Sequence, residues 1–195
     1  MPSRLCAAVL AALFAALLCA CAAVPRGPEI FPVDPAALTS FELNGRIHLK
    51  VQKEAFPGRV RWQHAPAMDE LWFYSPVGNA VAHLRQDGDG AWLMTAEGRE
   101  HRAADLERLT FEVLGWDLPL QALPYWVRGI PWPQAGAPDA QRDGQGRLKR
   151  LEQGGWQVTY LAWGASGLPV KLDLLGERLR LRLVVDRWSA HATGG

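Results

Sequence analysis

Residues 41–51 read Phe41-Glu42-Leu43-Asn44-Gly45-Arg46-Ile47-His48-Leu49-Lys50-Val51. Phe41, Leu43, Gly45, Ile47, Leu49 and Val51 alternate with polar and charged residues. A period of two over this length predicts a long strand with one face buried and one wet. The pattern returns near the C-terminus. There Leu179, Leu181, Leu183 and Val185 face one way, and Arg178, Arg180, Arg182 and Asp186 the other. Two long half-buried strands at opposite ends of the sequence point to a mainly β domain.

Between them the pattern is strand, then helix, then strand. Pro57-Gly58 reads as a turn, followed by a second strand around Val60 and Trp62. Leu71-Trp72-Phe73-Tyr74 predicts a third, ending at Ser75-Pro76-Val77-Gly78. A fourth runs from about Asn79 to Gln86, and Asp87-Gly88-Asp89-Gly90 is a hairpin turn by composition. Ala91 to Ala96 and Arg99 to Arg102 complete a meander. Leu106, Leu109, Val113 and Leu114 then fit one face of a short helix, with Asp105 as its N-cap and Gly115 beyond its end. Pro119 can open a second helical piece carrying Leu120, Leu123, Trp126 and Val127. It closes at Gly129, and Pro124 is tolerated only in its first turn. Pro131, Pro133 and Pro138 make the following stretch irregular. Strands resume at Leu148–Glu152, Trp156–Trp163, Val170–Leu175 and Arg178–Trp188. The count is about ten or eleven strands with short links, hence an antiparallel sheet. A flat sheet of that size would lack a second layer. The expected form is therefore a strongly bent, barrel-like sheet with a helical insertion.

The N-terminus reads as a targeting segment, outside the fold. Arg4 supplies a positive charge, Leu5 to Leu18 an almost unbroken apolar run, and Leu18-Cys19-Ala20-Cys21 a lipobox. Residues 1–20 are thus expected to be removed as a lipoprotein signal peptide, leaving lipid on Cys21. Cys19 is a poor acceptor because Leu18 before it is bulky. Residues 21–38, rich in Pro and Ala, read as the lipidated N-terminus and tether, and 39–190 as the domain. Cys6 and Cys19 leave with the signal. No cysteine pair then remains for a disulfide, and stability must come from packing.

Net charge is +1, and no basic stripe supports nucleic-acid binding. The histidines, His48, His64, His83, His101 and His191, lack metal-ligand spacing. No nucleophile elbow, calcium loop or phosphate-cradling loop is present. The sequence thus predicts no catalytic residues, no metal and no cofactor. Nine tryptophans run from Trp62 to Trp188. Composition alone favours packing for them. The alternative is an aromatic-lined cavity.

Several segments carry a resemblance. They are Phe41-Glu42-Leu43-Asn44-Gly45-Arg46, Gly58-Arg59-Val60-Arg61-Trp62-Gln63, Ser75-Pro76-Val77-Gly78-Asn79-Ala80 and Gly115-Trp116-Asp117-Leu118-Pro119-Leu120. Further on come Tyr125-Trp126-Val127-Arg128-Gly129-Ile130-Pro131, Leu168-Pro169-Val170-Lys171-Leu172 and the closing run from Arg178 to Trp188. In order and spacing they resemble the LolB family of outer-membrane lipoprotein receptors. The resemblance implies a half-open antiparallel β-barrel of about eleven strands with helices as a lid. It implies a monomer without enzymatic activity that takes client lipoproteins from a LolA-like periplasmic carrier. The clients' acyl chains would enter an apolar cavity and pass on to the outer membrane, to which the receptor is itself anchored. On this reading Trp62, Trp72, Leu109, Val113, Leu123 and Trp126 are the candidates for the cavity or lid. The family uses an exposed leucine, in a Pro-Leu-Gly loop after the third strand, to help insert the client. Here that loop is Pro76, Val77 and Gly78. Valine is one methylene shorter, worth about 0.8 kcal/mol of burial. Ala22 after Cys21 offers no aspartate retention signal, so outer-membrane sorting is expected. The competing readings are a carrier of another lipid, a non-catalytic envelope scaffold, and a hydrolase with unrecognised residues.

Overall fold

The computed structural model describes residues 33–114 and 118–190. The signal segment, Cys21, most of the tether and Gly115 lie outside these residues. Eleven strands form one antiparallel sheet: β1 (Phe41–Val51), β2 (Glu54–Ala65), β3 (Met68–Tyr74), β4 (Ala80–Asp87), β5 (Gly90–Thr95), β6 (Glu100–Ala103), β7 (Asp139–Arg142), β8 (Leu148–Gln153), β9 (Trp156–Trp163), β10 (Pro169–Leu175) and β11 (Leu179–Ala190). Two helices, α1 (Leu106–Leu114) and α2 (Leu123–Arg128), and a 3-10 turn at Pro133–Ala135 separate β6 from β7.

The strand order is β6-β5-β4-β3-β2-β1-β11-β10-β9-β8-β7. The first and last strands meet in the middle, with Phe41 opposite Ala190 and Val51 opposite Leu179. The chain winds outward to one edge and crosses to the other edge through both helices. It then winds back to the centre. The edges, β6 and β7, do not pair with each other. Both are short and polar, which discourages edge-to-edge association. α1 packs on β4, β5 and β6, and α2 on β10. The helices therefore cover the concave face from two sides, as expected for a half-open barrel.

That face is continuous across the register. Trp188, Leu43, Trp62, Leu71, Leu84 and Leu93 form one row, and Leu183, Ile47 and Gly58 belong to another. At one end Phe41 is fully buried, edge-on to both Trp62 and Trp188 at 5.2 Å. This cluster closes that end of the sheet.

The convex face follows the other parity. Trp72 lies between inward-facing Leu71 and Phe73, so it points outward. Its ring has the Arg61 guanidinium 4.9 Å from its centroid and stacks on His83 at 5.0 Å. Beside it, burial would raise the Glu42 carboxyl, but hydrogen bonds from Arg61, Gln63 and Asn44 outweigh this and hold it at about 2.

Two expectations change. Pro57-Gly58 is not a turn: β2 runs through it, and the turn is at Gln52 and Lys53, with Gln52 at φ 53°. Proline is tolerated there because β2 extends past the end of β3, whose pairing stops at Arg59. The Pro-rich stretch after α2 also conceals an edge strand, β7. In addition, residues 33–38, expected to end the tether, are docked on the domain. Val33 N–H bonds the Ser166 carbonyl, and buried Arg128 donates to the carbonyls of Leu38 (2.6 Å) and Pro124 (2.6 Å). No carboxylate pairs with Arg128 among the described residues, and burial lowers its pKa.

Gly45 marks the bend. The β1–β11 register shifts there, and an added Cβ would sit 2.6 Å from the Val184 carbonyl oxygen. Backbone atoms at the centre of the sheet cannot move aside cheaply. Gly45→Ala is expected to destabilise the fold by about 2–3 kcal/mol, measured as a lowered urea midpoint at unchanged slope.

Candidate functional site

Curling an apolar sheet face under two short helices leaves space. A cavity of about 740 Å³ lies between the sheet and the helical segment, within the range of roughly 300–1,000 Å³ of small-ligand sites. Its floor is built from Leu43, Val60, Trp62, Leu71, Leu84 and Leu183. Its roof is Thr110 and Val113 of α1, Leu118 and Leu120 of the connection, and Leu123 and Val127 of α2. Thr110 donates its hydroxyl to the Glu107 carbonyl of its own helix. Trp62 turns its indole N–H to Asp69 Oδ1 at 2.7 Å, and His64 Nδ1 lies 2.8 Å from the same oxygen. The inner walls therefore offer a ligand almost no hydrogen-bonding capacity. Glu54, Tyr74, Ser75 and Thr95 are the other polar side chains on the lining. All four lie at strand ends opposite the Phe41 cluster, where the cavity opens. The wall suits hydrocarbon, and it places no acid–base or nucleophilic pair on the cavity.

The mouth has an apolar lip. Ser75 closes a tight turn with Gly78, whose N–H bonds the Ser75 carbonyl at 2.9 Å. This turn holds Val77 out in solvent, 84% exposed. Phe56 and Val81, both on the cavity rim, are 49% and 47% exposed. Leaving three apolar side chains in water at one opening has no packing explanation.

Of the residues singled out in the sequence, Trp62, Val113 and Leu123 line the cavity together, and Pro76 belongs to its rim. Leu109 and Trp126 are buried but do not line it; they fasten the helices. Trp72 is excluded by strand parity and belongs to the convex face.

The two roof helices are held differently. In α2 the Trp126 indole N–H donates to Gln153 Oε1 at 3.2 Å. That oxygen also accepts from Trp132 N–H, and Gln153 Nε2 donates to the Trp132 carbonyl at 2.8 Å. The Tyr160 hydroxyl donates to the Trp126 carbonyl at 3.0 Å, and Arg128 ties the same helix to Leu38. Gly129 ends it at φ 82°, and a Cβ there would run into the Trp163 ring at 2.4 Å. α1 has its polar attachments near its start: Arg108 N–H to Asp105 Oδ1 at 2.7 Å, Leu106 N–H to Gln86 Oε1 at 3.0 Å and Gln121 N–H to Glu107 Oε1 at 3.4 Å. Its inner face otherwise rests on apolar contact. Gln153, Tyr160 and Arg128 had no role in the sequence reading. A buried Gln or Tyr among strand residues carries no periodic signal, and only the fold reveals its partners.

A family model described as "Outer membrane lipoprotein LolB" matches residues 39–188. A Nitrosomonas europaea protein named outer-membrane lipoprotein LolB is 37% identical over 160 residues, 80% of this chain and 75% of the relative. A Thiobacillus denitrificans protein of the same name is 36% identical over 170 residues, 87% of this chain and 90% of the relative. A crystal structure of a DUF1329 family protein from Desulfovibrio piger shares the fold at a TM-score of 0.52 and 6% identity, over 83% of this chain and 89% of that one.

Replacing Gln153 by Ala would leave the Trp126 indole N–H and both Trp132 backbone groups without their partner. The expected cost is about 2–4 kcal/mol. Hydrogen exchange in α2 should rise well above that in β1 and β11.

Proposed function

The chain belongs to the LolB family of outer-membrane lipoproteins, and from that premise we propose how its cavity serves as the receptor in the LolA/LolB pathway. It accepts a client lipoprotein from a LolA-like carrier by taking the client's acyl chains between the sheet and the roof helices. It then delivers them to the outer membrane, where lipid on Cys21 holds the receptor. The observation that carries this reading is the cavity wall, apolar throughout its depth and open at a lip of exposed Val77, Phe56 and Val81.

The energetics explain why such a wall is needed. Three acyl chains hold on the order of 40 methylenes, and wetting them costs on the order of 30 kcal/mol. The cargo must therefore pass from one apolar enclosure to the next without entering water. A cavity of this size has to enlarge to take three chains. α1 is the part that yields, because apolar contact holds its inner face, whereas α2 is fastened by buried hydrogen bonds at Trp126, Tyr160 and Arg128. Transfer runs downhill if this cavity holds acyl chains better than the carrier does and the bilayer holds them better still. No group in the receptor needs to react.

At the lip, Val77 enters the bilayer and lowers the barrier to release. Lengthening it by one methylene, Val77→Leu, adds about 0.8 kcal/mol of burial, or about fourfold in release. Transfer of radiolabelled lipoprotein from purified LolA to this chain, then to vesicles, tests both steps. Wild type is expected to accept cargo. Val113→Asp, which puts a charge in the roof, should lower acceptance by at least tenfold. Val77→Asp should accept normally and fail to release. Absence of transfer to the folded wild-type chain would overturn the reading.

A further inference from the structure

The convex face carries an arrangement that the fold does not need. Arg46 of β1 lies directly opposite Arg59 of β2, and Lys50 of β1 directly opposite Arg180 of β11. His48 faces Arg182 in the same way. Like charges directly opposite each other on one sheet face are destabilising. Two of these cations are neutralised: Arg46 by Asp186 at 2.8 Å and Arg182 by Asp173 at 2.6 Å. Lys50, Arg59 and Arg180 are exposed and form no ion pair among the described residues. Asp173 lies near enough to Arg180 and Lys171 to be lowered by them, but it bonds Arg182. Lys53 and Arg178, in the adjoining turns, add positive charge, and Glu54 and Glu177 are the carboxylates there.

The place of this patch identifies its partner. Lys50 pairs with Ala55, and the next pair along is Leu49 with Phe56. The basic residues thus begin one position away from the exposed lip of the cavity. Apolar prongs with a collar of cations match a surface that is oily within and anionic at its headgroups. The tether adds a geometric constraint. Val33 bonds Ser166 in the β9–β10 turn, at the closed end beside Trp188 and Pro169, away from the mouth. With lipid on Cys21, as proposed above, about 12 residues separate the lipid from Val33 and reach at most ~40 Å. β1 alone, with 11 residues, is about 36 Å long. For the mouth to meet the membrane end-on, the tether has to run back along the domain nearly extended, which is entropically costly. Something must attract the mouth end downward.

We propose that the collar formed by Lys50, Arg59 and Arg180 docks on anionic phospholipid and turns the cavity mouth from the periplasm towards the membrane. The receptor then has two orientations on one tether: mouth outward to meet a carrier, mouth inward to release cargo. Each cation near an anionic surface favours the inward state by about fivefold, an effect that salt screens. The inference rests on the membrane placement of the family and on the proposed lipid anchor; it is independent of cargo binding.

The test uses the full lipidated chain in vesicles, labelled at Asn79→Cys with a fluorophore that a headgroup-borne quencher can reach. Quenching should be weak in phosphatidylcholine and strong when phosphatidylglycerol is included, and raised salt should reverse the gain. Lys50→Gln, Arg59→Gln and Arg180→Gln together should remove the gain, on the order of a hundredfold in the orientation ratio. The same variant should unfold no more easily than wild type, because it relieves opposed charges. Equal quenching on both lipids, or an unaffected triple variant, would overturn the proposal. So would a triple variant that orients normally but takes cargo from LolA more slowly, since the patch would then serve a protein. Failure of cargo transfer with orientation intact would sink only the receptor reading.

Discussion

An eleven-stranded sheet with one oily face has to cover that face, and among the described residues two short helices do it. The curl of the sheet and the cavity beneath the helices follow from that shortfall. A flat sheet would leave most of its apolar side in water at roughly 25 cal/mol per Å². Curling brings the two wings towards each other and leaves less of that face for the helices to cover. The bend at Gly45 allows the curl, since the carbonyl of Val184 occupies the space a side chain would take. The single crossover from β6 to β7 then lays the helices across the opening. What remains uncovered is the cavity, and its wall is the face the helices fail to fill.

The cover is unequal in strength. α2 is held by bonds that must break together: the Trp126 indole on Gln153, the Tyr160 hydroxyl on the helix carbonyl, and Arg128 on the chain entering β1. α1 rests mainly on an apolar stripe, capped at Asp105 and touching Gln86. Apolar contact is non-directional and can be exchanged for contact with another hydrocarbon at little net cost. A buried hydrogen bond cannot be exchanged in that way, because an acyl chain offers no donor or acceptor. In the proposed mechanism the same difference separates the lid, α1, from the frame that stays. In the proposed transfer, cargo replaces the α1 stripe as the covering layer.

Much of the fold was legible in the sequence because the strands carry a clean period of two. Phe41 to Val51 and Leu179 to Val185 gave away their buried faces, and Asp87 to Gly90 gave away its turn. The Asp105 cap and the Gly129 stop marked helix ends by their chemistry. Pro57-Gly58 misled because a proline-glycine pair usually breaks a strand. Its place beyond the end of β3, where only β1 is a neighbour, depends on tertiary pairing. β7 was hidden because a short, polar edge strand has no apolar alternation to read. Within the site, Trp62, Val113 and Leu123 could be picked out, but Trp72 could not be told from Trp62 by composition. Strand parity separates them: Trp72 falls between Leu71 and Phe73 and so faces outward. Gln153 and Arg128 were invisible for a different reason. Their partners lie far along the chain, and each makes sense only when α2 is seated.

The proposed transfer requires hydrocarbon from the cargo to lie between the sheet and α1. A client lipoprotein whose acyl chains carry a photoreactive group, loaded on this receptor and irradiated, reads that position directly. The adducts should fall on the floor and roof, at residues such as Leu71, Leu84 and Val113, while the Trp72 side of the sheet stays unmodified. Adducts confined to the convex face, with none under α1, would contradict it.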